Sequence, residues 1–120
     1  MIFRKLAAAT VGFALFATVA SADDFKRIKT EVGFRKAVVD RVFGNETGSG
    51  TYNANGTLTG KFGGQELSGK WIWTAGHVCR TAQLGDKDLG TDCQRIEYKG
   101  KTLRVTRDKG EGKSVLYELK

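Results

Sequence analysis

Leu58-Thr59-Gly60-Lys61-Phe62-Gly63-Gly64-Gln65-Glu66-Leu67-Ser68-Gly69-Lys70-Trp71-Ile72-Trp73 reads as two alternating strands joined at a pair of glycines. A two-residue hairpin loop needs positive φ, which glycine adopts without a Cβ clash, so Gly63-Gly64 marks the turn. Placing the loop there pairs Phe62 with Gln65, Gly60 with Leu67 and Leu58 with Gly69. Because a strand's side chains alternate, Leu58, Gly60, Phe62, Leu67, Gly69, Trp71 and Trp73 then share one face. Lys61, Glu66, Ser68 and Lys70 take the other. Gly60 and Gly69 between large apolar neighbours predict a sharp bend of the sheet or a ring lying over the backbone.

Turn signals continue outward from this hairpin. From Gly48 onward the chain is rich in Gly, Thr and aromatic residues, with turns roughly every 8 to 12 residues, the pattern of an antiparallel meander. Asn55-Gly56 is a second strong hairpin signal, and Ala75-Gly76, Lys99-Gly100 and Asp108 to Gly112 mark further connections. Strands are expected near Val78 to Ala82, Gln94 to Lys99, Thr102 to Arg107 and Ser114 to Leu119. Upstream, Phe34, Ala37, Val38 and Val42 recur at helical spacing, predicting one helix from Thr30 to Phe43 with Thr30 as N-cap and Gly44 as the C-terminal glycine. Gly33 weakens its first turn. Proline is absent, and no internal repeat is visible. The expected fold class is α+β, mostly β: an N-terminal helix plus a twisted antiparallel meander of about six strands, with a partly closed barrel as its tightest form.

Met1 to Ala22 has the three parts of an export leader: Arg4 and Lys5, then the uncharged run Leu6 to Ala20, then Ala20-Ser21-Ala22 as the cleavage site. The apolar run is short for a membrane span of ~20 residues, and Asp23 and Asp24 come directly after it. No stable span is therefore expected after cleavage. The mature chain, 23–120, is one small domain by length. Removing Arg4 and Lys5 from 20 basic residues leaves 18 against 13 acidic, a net of +5. That charge is spread without blocks, which suits a solvated surface or weak attraction to anionic envelope material, and export makes nucleic acid no expected partner. Cys79 and Cys93 are the two cysteines. In an exported chain such a pair is most simply a disulfide, worth about 3 kcal/mol in the chain-entropy model.

Few residues carry chemistry. Trp71 and Trp73 read as core, because the register puts them on the face of Leu58, Phe62 and Leu67, with a stacking platform for a ring-bearing ligand as the alternative. Arg80 stands next to Cys79 in a strand, so if the cysteine points one way, the guanidinium points to the tryptophan face. There it either stacks on indoles for structure or holds a carboxylate or phosphate. Asp86-Lys87-Asp88-Leu89-Gly90-Thr91-Asp92 begins like an acidic calcium loop, but Gly90 stands at its fifth position and Glu97, at the twelfth, falls in a strand, so a solvated turn is the reading. His77 is the sole histidine, which builds neither a zinc site nor a triad. Asn45-Glu46-Thr47 and Asn55-Gly56-Thr57 match the glycosylation sequon but carry meaning only in a eukaryotic secretory route.

Gly69-Lys70-Trp71-Ile72-Trp73, then Gly76, Cys79-Arg80, Asp88-Leu89-Gly90, Cys93-Gln94 and Asp108-x-Gly110-x-Gly112, resemble a family of small exported alphaproteobacterial proteins of unknown function. Members often carry the name dihydrodipicolinate reductase. The resemblance spans most of the chain after the leader, and its Gly, Trp and Cys spacing implies a fold rather than an activity. The chain departs from the family at His77, Val78 and Thr91, where aromatic residues are usual, and at Ala75, where an acid is. A nicotinamide reductase needs a Gly-rich turn between a strand and a helix of a parallel sheet, whereas these glycines lie in hairpins. The expectation is a periplasmic or secreted, monomeric, non-enzymatic binding or interaction module without cofactor or metal. Its partner would be an unknown protein or an anionic envelope component, with Trp71, Trp73 and Arg80 as the candidate surface. The alternative is an inhibitor or accessory factor of an envelope enzyme such as a peptidoglycan hydrolase.

Overall fold

The computed structural model describes residues 23–120, so the expected leader lies outside the described residues. After a two-residue strand β1 (Lys26–Arg27) and helix α1 (Glu31–Ala37) come eight strands: β2 (Val42–Asn45), β3 (Gly48–Tyr52), β4 (Thr57–Phe62), β5 (Gln65–Thr74), β6 (His77–Leu84), β7 (Lys87–Lys99), β8 (Thr102–Thr106) and β9 (Ser114–Leu119). Each pairs antiparallel with the next, and β9 returns to β2 through Leu119 opposite Phe43, closing an eight-stranded barrel. The fold is mostly β, as expected, but closure is complete and there are more strands than the six anticipated.

The Gly63-Gly64 hairpin has the register read from the sequence, with Phe62 opposite Gln65, Gly60 opposite Leu67 and Leu58 opposite Gly69. Its apolar face lines the barrel, where Leu58, Leu67 and Trp71 are buried. Lys61, Glu66, Ser68 and Lys70 point out to water, a polarity opposite to that of a transmembrane barrel. Among the described residues no helix is long and apolar enough to cross a membrane. Gly60 and Gly69 are required by close approach of neighbouring backbone: a Cβ would collide with the Ser49 carbonyl oxygen at the first and with the Thr81 carbonyl oxygen at the second. Such crowding lets the strands coil tightly enough to close.

Helix α1 is shorter than expected. Thr30 caps it, its hydroxyl accepting from the Gly33 N–H at 3.0 Å, but the helix ends at Ala37. Tertiary pairing overrides the helical spacing beyond that point: Asp40 turns left-handed (φ 65), its N–H donates to the Tyr52 carbonyl, and Val42 and Phe43 enter β2. Gly44 therefore lies inside a strand opposite Ser49 and caps nothing. Phe34, fully buried, plugs one end of the barrel, stacking on Trp73 at 5.2 Å and meeting Trp71 and Tyr52 edge-on. Arg107–Gly110 forms only a turn, because Asp108 and Lys109 are left-handed.

Two connections differ from expectation. Asn55-Gly56 sits in a wider loop, with the Asn53 N–H bonded to the Thr57 carbonyl and Gly56 to Asn53, rather than forming a two-residue hairpin. Asp86 to Asp92 is not a turn. The turn is Gly85-Asp86, and Lys87 to Asp92 continue as the first half of β7, paired with β6. Alternating charges hid this strand, since Lys87 and Asp88 face solvent. A bulge interrupts it: Ala82 faces Gly90 and Gln83 faces Asp88, leaving Leu89 extra. Past Gln94, β7 exchanges β6 for β1 on that edge and pairs with β8 on the other.

Candidate functional site

Hairpin turns alternate between the two ends of the barrel. Helix α1 closes the end that carries Asn53–Gly56 and Ala75–Gly76, while the other end stays open and leads to a cavity of about 210 Å³. Its wall comes from every strand of the barrel. Phe43, Tyr52, Phe62 and Tyr117 form one side, with Phe43 stacked on Tyr52 at 5.2 Å and edge-on to Tyr117 at 4.9 Å. Leu58, Leu67, Leu84 and Val105 complete the apolar lining, and Leu89 and Val115 stand at the gap between β7 and β9. The bulge aims Leu89 there, since an extra residue redirects the side chain.

Arg80, Gln94 and Arg107 are the charged or amide side chains of this wall. Arg80 is 9% exposed, and its position in β6, directly across from Trp71 in β5 and Asp92 in β7, forces it inward. Its only side-chain hydrogen bond among the described residues runs from Nη1 to the Gly90 carbonyl, 3.0 Å away. The left-handed Gly90 (φ 72) at the bulge supplies that acceptor. Among the described residues Arg80 joins no ion pair.

The nearest carboxylate in register, Asp92, is engaged elsewhere. It accepts from Gln94 Nε2 at 2.8 Å, from the Asp108 backbone N–H at 3.0 Å and from Arg107 Nε at 3.4 Å. Burial pushes its pKa up, but these hydrogen bonds and the Arg107 charge outweigh burial and hold it below the ordinary 3.8. Asp92 thereby ties the Arg107–Gly110 turn to β7. Burial pushes the Tyr52 phenol far above its ordinary 10.0, with the Tyr117 charge adding and the Arg80 charge opposing. Burial likewise raises Tyr117, against the charges of Arg80 and Arg107. Both phenols stay protonated donors.

Sequence reasoning placed Trp71, Trp73 and Arg80 on one face, and they share it. The three do not form one surface, however. Trp71 is 3% exposed, bonded through Nε1 to the Asn53 carbonyl at 3.0 Å, and the guanidinium over its ring is that of Arg35, 5.0 Å away. Trp73 is half-buried beneath Phe34. Both tryptophans belong to the closed end, while Arg80 belongs to the cavity. Cys79 and Cys93 are bonded to one another across β6 and β7, one residue from the Arg80–Asp92 pair, and pin the strands that carry it.

Tyr52, Gln94, Arg107 and Tyr117 escaped the sequence reading. Strand alternation through Tyr117 and Leu119 marks their shared inward face, but only closure brings Tyr52 beside them. His77 lies at the outer turn, its Nδ1 3.1 Å from the Ala75 carbonyl oxygen and its Nε2 3.3 Å from Arg27 Nη2. Among the described residues no group of three His, Cys, Asp or Glu could hold a metal ion. No family model, curated protein or solved structure matches the chain.

Proposed function

We propose that this protein is a non-enzymatic binding module of the periplasm or extracellular space, and that it binds inside the barrel rather than on an outer sheet surface. The observation that carries this reading is the open apolar cavity with Arg80 buried in its wall and no ion-pair partner among the described residues. Eight strands make a barrel just wide enough to hold one small ligand. Its polar lining favours holding over reacting: an arginine and an amide donate hydrogen bonds, and the two raised phenols keep their protons. The Cys79–Cys93 disulfide fits an oxidising compartment.

An inhibitory role finds less support. Glu46-Thr47, Gly63-Gly64 and Gly85-Asp86 are tight two-residue turns at the open end, and Arg107–Gly110 is tied back to Asp92. None projects as a loop that an envelope hydrolase would receive in its cleft. The test is a titration with 4-methylphenol, a neutral single ring, read by methyl NMR. Saturable shifts confined to Leu58, Leu67 and Val105 are expected. Shifts only at outer residues, or none up to the solubility limit, would overturn the reading.

A further inference from the structure

Resting on that reading, we infer that the ligand is a compact organic monoanion, an apolar ring or short branched chain bearing one carboxylate, with the carboxylate on Arg80. A buried cation without a counter-ion is costly, and arginine's planar fork matches a carboxylate in two parallel hydrogen bonds. One Nη1 bond to Gly90 leaves the rest of the Arg80 guanidinium without a protein acceptor among the described residues. Cavity charge sets the valence. Of the two arginines in the wall, Arg107 is already paired with Asp92 outside the lining, so Arg80 alone is unbalanced, a single positive charge that one carboxylate balances and a dianionic phosphate exceeds. The Tyr52 and Tyr117 phenols, both held protonated, add neutral donors in the same wall.

Size and lining set the remainder of the molecule. A volume of about 210 Å³ is below the ~300 to 1,000 Å³ of pockets that enclose drug-sized ligands, so a long acyl chain or a fused ring system does not fit. Leu58, Leu67, Leu84 and Val105, with the rings opposite them, offer an apolar body no polar partner. An acidic polymer or a sugar is excluded from such an interior, because their polar groups would enter unpaired.

Three probes of one shape separate the possibilities: phenylacetate, phenylacetamide and 2-phenylethylamine, titrated into the disulfide-intact protein by calorimetry and methyl NMR. Phenylacetate is expected to bind at least ten-fold more tightly than the amide, with the amine weakest. Arg80→Met should erase the preference for acid over amide. Arg80→Lys, which keeps the charge but loses the fork, should retain part of it. Equal affinity for acid and amide in the wild type, or a preference that survives in Arg80→Met, overturns the carboxylate assignment and leaves interior binding standing. Failure of all three probes and of 4-methylphenol to shift cavity methyls overturns both. Should Arg80→Met not fold, the wild-type comparison and Arg80→Lys still decide.

Discussion

Replacing Arg80 with methionine is expected to stabilise the ligand-free protein. The residue is 9% exposed, so its guanidinium trades bulk water for the little that the cavity holds, and the effective cost of burying an ion ranges up to several kcal/mol. Against this stands one charged hydrogen bond, Nη1 to the Gly90 carbonyl, worth about 1.5 to 3 kcal/mol. Gly90 is itself only partly buried, so water replaces the lost donor and the substitution strands no carbonyl. Methionine can take the path of the arginine stem and fills irregular apolar space. The balance is a gain of roughly 1 to 3 kcal/mol, since replacing buried charge by apolar volume is neutral or stabilising in the same range. At about 4 to 8 °C per kcal/mol for a domain of this length, the melting temperature should rise by roughly 5 to 20 °C.

The assay is differential scanning calorimetry of wild type and Arg80→Met with the disulfide intact, at a pH where both unfold reversibly. Near-UV circular dichroism checks that the aromatic wall is unchanged. A fall in melting temperature of more than about 5 °C would refute the reasoning, because it would mean that Arg80 holds the bulge through Gly90 and is kept for architecture. A rise identifies a residue retained at the expense of stability, as groups reserved for a ligand commonly are.

The same geometry sets three further outcomes. Trp71→Ala should destabilise the protein by roughly 3 to 5 kcal/mol, since the ring is buried against Phe34 and Tyr52, and a displaced urea midpoint is the measure. Replacing Cys79 and Cys93 together by alanine should cost about 3 kcal/mol through the freed loop, and the unfolded wild type should show no reactive thiol before reduction. The depressed pKa of Asp92 contributes stability that is present above its ordinary 3.8 and lost as pH falls through the lower folded value, so Asp92→Asn should flatten the acid limb of a melting-temperature profile from about pH 2 to 5.

How far the sequence could be read depended on whether contacts were local. The Gly63-Gly64 hairpin was legible to the residue because its turn and its alternation specify the same register, and so was the Thr30 cap. Helical spacing overran α1 because Val42 repeats the period by coincidence, whereas Phe43 is the residue that turns inward once β2 pairs with β3. Gly48 to Tyr52 hid as a strand because its inward positions include Gly48 and Gly50, which carry no apolar side chain to count. Charge concealed the first half of β7 in the same way.

Closure explains why the site itself was half legible. In an open sheet, the face bearing Leu58, Trp71 and Arg80 would be a surface, and aromatic rings beside an arginine would read as a platform for a partner. The two register pairs between β9 and β2, Glu118 with Gly44 and Leu119 with Phe43, turn that face into an interior. Phe43 and Tyr117 then meet, Phe34 seals the tryptophans away, and Arg80 is left facing a part of the interior that side chains do not fill. No periodicity in hydrophobic residues announces a space that the inward side chains leave unfilled. The arginine's chemistry could be read from the chain, but its need for an anion arises only from the burial that closure imposes.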